Sequence, residues 1–159
     1  MSAISLPAGT LDWIRPKAWK MDWELRRGSE AIARMASPSM FGTTVRASMG
    51  SENLVLRKGG LRRPGAAMRR AGESEDIALL EFDALDRGTV AMGGTVYRWE
   101  RREPKGTWAM TREDGATLFT VYRDVRSKYP TGKVEVLTED ESSGPLLLLT
   151  WFMISTSDC

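Results

Sequence analysis

From Trp19 to Arg26 the chain alternates: Trp19, Met21, Trp23 and Leu25 fall on one side of an extended backbone, and Lys20, Asp22, Glu24 and Arg26 on the other. Period-two alternation marks a strand with one face in a core and the other in water. Arg27-Gly28-Ser29 breaks the pattern, and Ala31 to Met35 returns as a hairpin partner. Phe41 to Met49 and Asn53 to Arg57 continue in the same style. The Gly/Arg/Pro-rich stretch from Lys58 to Gly65 reads as a loop, because its residues oppose regular structure. Ala66 to Ala71 is a weaker strand, and Asp76 to Phe82 fits either strand or helix.

The plainest passage is a meander. Thr89 to Met92 turns at Gly93-Gly94 into Thr95 to Arg101. A turn at Glu103-Pro104-Lys105-Gly106 leads to Thr107 to Arg112, and Asp114-Gly115, the strongest hairpin signal in the chain, returns it as Thr117 to Tyr122. Lys133 to Thr138 adds a last strand. About eleven strand candidates recur at the ~8–12-residue spacing of sandwiches and barrels.

The C-terminus abandons alternation. Leu146 to Ile154 is apolar on every side, broken only by Thr150. Such a run suits a buried strand or a buried helix, and periodicity alone does not separate them. Three features favour a helix over about 145–155. Pro145 suits a first helical position, Ser143 or Gly144 can cap it, and Glu139-Asp140-Glu141 precede the positive end of its dipole. Leucine and methionine also favour helix. A helix apolar all round must be enclosed by protein. With only strands to enclose it, a sheet closed around it is the simplest arrangement. Residues 1–9 are expected to be a flexible N-terminus, and residues 10–159 one domain.

Composition narrows the chemistry. The 159-residue chain has no histidine, and its one cysteine is Cys159. Ser-His-Asp and Cys-His mechanisms are therefore impossible, as are zinc sites of the His/Cys kind. No catalytic residue, metal site or cofactor is indicated. The carboxylates Glu81, Asp83 and Asp86 cluster in sequence, but carboxylates near a turn are ordinarily solvated. Six tryptophans are spread over the chain, and Trp99 and Trp108, on adjacent meander strands, are placed to form a cross-strand pair. Met1 to Gly9 lacks the pattern of a secretory signal, and the apolar C-terminal run is shorter than the roughly 20 residues of a membrane span. The expected setting is the cytoplasm, at most peripheral to a membrane.

The net charge is only +2, but the basic residues are uneven. Arg57, Lys58, Arg62, Arg63, Arg69 and Arg70 fall within one short segment with little acid to offset them, and they are the candidate ligand-binding residues. Basic residues near an anionic membrane contribute about 1 kcal/mol each. Anionic phospholipid headgroups or a protein partner are the expected ligands. Nucleic acid is disfavoured, because single-strand binders interleave aromatics with their basic residues and residues 57–70 contain none.

In layout the chain resembles the tubby-like superfamily, in its LURP-one-related and phospholipid-scramblase-like branch. The resemblance rests on the Tyr97-Arg98-Trp99-Glu100 strand, the turn to Gly106-Thr107-Trp108, the Asp114-Gly115 turn with its return strand, and the closing Leu146-Leu147-Leu148-Leu149-Thr150-Trp151-Phe152 run. It implies a mainly β fold, a closed antiparallel barrel of about twelve strands around a buried hydrophobic C-terminal helix. A β-sandwich or a lipocalin-like barrel is the alternative, and would leave room for a small ligand or a carboxylate-dependent reaction. The family's functions are varied and include phosphoinositide binding through basic surface residues. No family binding residue can be carried onto this chain. The function expected is that of a non-enzymatic small domain.

Overall fold

The computed structural model describes residues 6–15, 22–36, 44–58, 65–84, 87–124 and 131–156. Twelve strands precede one helix: β1 (Gly9–Ile14), β2 (Asp22–Arg27), β3 (Glu30–Ala36), β4 (Thr44–Met49), β5 (Glu52–Lys58), β6 (Gly65–Arg70), β7 (Asp76–Ala84), β8 (Arg87–Met92), β9 (Thr95–Arg102), β10 (Thr107–Thr111), β11 (Thr117–Arg123), β12 (Gly132–Val136) and α1 (Ser143–Thr156). Each strand pairs antiparallel with its neighbours in sequence, and β1 closes the cylinder on β12. The expected closed barrel is present, and the sandwich and lipocalin-like alternatives are excluded.

β1 is the strand that local pattern does not reveal. It offers only Leu11 and Trp13 to the core, and its longest pairing is to the far end of the chain, with Leu11 opposite Val134 and Trp13 opposite Gly132. Asp76–Ala84, open to either reading from sequence, is a strand. Lys58 and Gly65, expected in a loop, are the ends of β5 and β6.

Because every connection is a return, alternate connections lie at opposite ends. The entry end, where α1 begins, holds the connections β2–β3, β4–β5, β6–β7, β8–β9, β10–β11 and β12–α1. The exit end holds the others. Gly93 and Gly94 both have positive φ, 60° and 79°, the backbone a two-residue hairpin needs. The Asp114-Gly115 turn is wider than that signal implies. The amide of Arg112 donates to Ala116 O at 2.8 Å, and Asp114 Oδ1 accepts from the Ala116 amide at 2.9 Å.

A twelve-stranded barrel is too wide for its own side chains to fill, and α1 occupies the lumen. The helix touches β4, β6 and β11, on different sides of the wall, and Leu146 to Phe152 are at most 1% exposed. Thr150, the one polar residue in that run, donates to Leu146 O at 2.9 Å, so its hydroxyl is satisfied within the helix. Trp13 stacks on Trp151, with centroids 5.2 Å apart and planes 7° from parallel. Gly132, on the wall beside them, leaves room for that indole. The expected pairing of Trp99 with Trp108 is present at 6.1 Å, and Phe82 meets Trp99 edge-on at 5.4 Å.

The helix is tied at both ends. It begins two residues before the expected Pro145, whose missing N–H falls in the first turn, where no intrahelical bond is lost. Ser143 Oγ donates to Asp140 O at 2.8 Å and accepts from the Leu6 amide at 2.9 Å. Of the N-terminal stretch expected to be flexible, residues 1–5 lie outside the described residues, while Leu6 is buried against the core. At the exit end, Arg123 Nη1 donates to Ile154 O at 3.2 Å, placing a cation at the negative pole of the helix dipole.

Candidate anion-binding surface

Of the six basic residues singled out from sequence, the four described do not form one patch. Arg57 and Arg69 lie on the outer wall and share one carboxylate, at 2.9 Å from Asp76 Oδ2 and 3.2 Å from Asp76 Oδ1 respectively. Arg57 reaches across β6 to do so, over Ala67, its register partner, which is fully buried. Arg70 is at the entry end, 3.4 Å from Glu52. Lys58 is at the exit end. Arg62 and Arg63 lie outside the described residues. The hairpin that makes these residues neighbours in sequence thus sends them to two ends and both faces of the wall.

A different pattern emerges when charge is read by end. From the last residue of one element to the first of the next, the entry-end connections hold ten acidic and three basic residues. Glu73, Glu75 and Asp76 lie in one turn, Glu113 and Asp114 in another, and Glu139, Asp140 and Glu141 lead into α1. The described exit-end connections reverse the sign, with six basic residues against three acidic. The basic ones are Arg15, Lys58, Arg87, Arg102, Lys105 and Arg123, drawn from five of the six openings between strands at that end. By sequence, the segments joining the same strands also contain Lys17, Lys20, Arg62, Arg63, Arg126 and Lys128, against the one acid Asp86, all outside the described residues.

The two ends differ in how their charges are engaged. At the entry end Arg112 bonds Asp114 at 2.9 Å and lies 3.6 Å from Asp140. The Arg112 guanidinium, helped by the Ala116 amide, holds the Asp114 carboxyl below the usual carboxylate range. At the exit end Arg102 pairs with Glu100 at 2.6 Å, and Arg101 lies over the Trp108 ring, 5.4 Å from its centroid. Arg87 and Lys105 are exposed and form no ion pair among the described residues. Sequence reading missed Arg87, Arg102, Lys105 and Arg123 because they are scattered along the chain. The signal that finds them is the sum of charge over alternate connections.

Of the carboxylates that cluster in sequence, Glu81 is on the outer wall, opposite Thr89, and Asp83 is next to last in β7. Asp86 lies outside the described residues. No helix among the described residues is long and apolar enough to cross a membrane. No family model, curated protein or solved structure matches the chain.

Proposed function

We propose that the protein is a non-catalytic binding module that presents the exit end of its barrel to an anionic surface, with anionic lipid headgroups as the partner. The observation that carries this reading is the opposite sign of charge at the two ends. A net excess of basic residues facing a negatively charged bilayer, with the acidic end directed away, gives the molecule one favoured orientation. A lumen filled by α1 and the absence of histidine support a binding role over a catalytic one. The layout of twelve strands around a C-terminal helix supports a relationship to the tubby-like proteins.

At about 1 kcal/mol per basic residue near the surface, Arg87→Ser, Arg102→Ser and Lys105→Ser together should lower vesicle binding by roughly 100-fold. Co-sedimentation with phosphatidylcholine vesicles containing phosphatidylserine measures this, with pure phosphatidylcholine as the control. Arg57→Ser with Arg69→Ser, which removes the pair already engaged by Asp76, should change binding by less than about threefold. Equal binding to neutral and anionic vesicles sinks the proposal. A protein partner with an acidic face becomes the better reading if anionic vesicles fail while the exit-end triple variant still loses function in cells.

A further inference from the structure

The outer wall carries a second arrangement, remote in kind from the basic end. Across β11, β12, β1 and β2 the register sets Tyr122, Lys133, Asp12 and Arg26 directly opposite one another in a single row. This row crosses a groove of about 460 Å³ that also takes in Ile14 and Asp124. Small-molecule sites run from about 300 to 1,000 Å³. Gly28, at one margin, contributes no side chain, so the groove stays open there.

Residues opposed across neighbouring strands have Cβ atoms about 4.5–5.5 Å apart, close enough for opposite charges to pair. Asp12 nevertheless pairs with neither cation beside it. Arg26 is turned to Glu24 on its own strand, with Nε at 2.9 Å and Nη2 at 2.7 Å from the carboxylate. Lys133 is exposed and, like Asp12 and Tyr122, makes no side-chain hydrogen bond or ion pair among the described residues. A carboxylate and an ammonium thus stand side by side, neither paired among the described residues, in a groove that Tyr122 and Ile14 also line.

We infer that this groove binds a small zwitterion with an apolar body, of the class of a free aromatic or branched-chain amino acid. Asp12 accepts hydrogen bonds from the ligand ammonium and Lys133 donates to its carboxylate, while the side group lies along Ile14 and the Tyr122 ring. The paired charges set the selectivity. A simple anion attracted to Lys133 meets Asp12, and a simple cation attracted to Asp12 meets Lys133. Only a ligand carrying both signs a few ångströms apart satisfies both. The groove reaches the exit end at Ile14 and Asp124, but Arg87, Arg102 and Lys105 do not line it, so neither proposal requires the other.

Amide chemical-shift titration of the ¹⁵N-labelled full chain tests the assignment with three probes: L-phenylalanine, N-acetyl-L-phenylalanine and L-phenylalaninamide. L-phenylalanine should give saturable shifts at Asp12, Tyr122 and Lys133, and each blocked form should bind at least about tenfold more weakly. Asp12→Asn should weaken L-phenylalanine by about tenfold without weakening the N-acetyl form, and Lys133→Met should do so without weakening the amide. Both substitutions are on the outer wall, and the spectrum itself reports whether each variant is folded. No saturable shift up to about 20 mM, equal binding of all three probes, or indifference to both substitutions overturns the inference.

Discussion

Gly132 faces the Trp151 indole of the central helix, and Gly132→Ala tests whether that approach governs the packing. Its φ is unremarkable, so a side chain is excluded by space alone. A Cβ placed there would lie 2.5 Å from Tyr122 O and 2.8 Å from Trp151 Cζ3. Neither neighbour moves cheaply. The carbonyl belongs to the β11–β12 ladder, and the indole is stacked on Trp13 and fully buried. Overpacking of this kind costs about 1–3 kcal/mol, partly offset by up to about 1 kcal/mol because alanine restricts the unfolded chain. The expected net loss is about 1–2 kcal/mol, a drop of roughly 2–8 °C in Tm for a domain of this size. Trp151→Phe isolates the helix contribution, because phenylalanine lacks the outer ring atoms nearest the new methyl group. It also removes an indole N–H that meets no acceptor among the described residues, which limits its own cost. Urea denaturation of the parent, both single variants and the double variant should show Gly132→Ala about 1 kcal/mol less costly when combined with Trp151→Phe. The contact with Tyr122 O persists in the double variant and sets the remainder. Costs that add to within about 0.3 kcal/mol refute the reasoning, as does a Gly132→Ala protein of parental stability.

Two further outcomes follow from the ties at the entry end. Ser143→Ala leaves the buried Leu6 amide without its acceptor and should cost about 1–3 kcal/mol in chemical denaturation; a loss below about 0.5 kcal/mol shows that Leu6 is not held there. Asp114 titrates below the ordinary carboxylate range when folded, so its contribution is complete above that range and is lost as pH falls through the lowered value. Asp114→Asn should therefore lower Tm at neutral pH, by a difference that starts to shrink only below the ordinary carboxylate range and vanishes below the lowered value, and parallel pH–Tm curves contradict this.

Most of the fold is legible because its elements are specified locally. Trp23 and Leu25, and again Tyr97 and Trp99, alternate with half-buried or exposed polar and aliphatic residues in patterns complete within a few positions. The helix is legible for a different reason. Leu146 to Ile154 has no polar face, so it must be enclosed, and a domain otherwise made of strands can enclose it only by closing. β1 escapes because its evidence is non-local. Two inward residues make no pattern, and their main partners Val134 and Gly132 lie at the other end of the chain.

The candidate site was illegible for a related reason, which concerns how an up-and-down barrel maps sequence onto space. A run such as residues 57–70 looks like one patch, yet a strand's two ends are at opposite poles and its alternate residues on opposite faces. Arg57 and Arg70 therefore part company, one to Asp76 on the outer wall and the other to Glu52 at the entry end. Conversely, Lys58, Arg87 and Lys105 are far apart in sequence and share an end because each belongs to every second connection. Connections contribute little to the core, so their charge is free to vary without disturbing the alternation that builds the wall. Closure and burial constrain the inward positions and leave the sign of each turn open, and the dipole of α1 favours acid or base only within about one turn of its ends, so the charge of the remaining connections is set by neither. An oriented encounter with a charged surface is a cause that acts on the connections alone, and it acts on both poles at once.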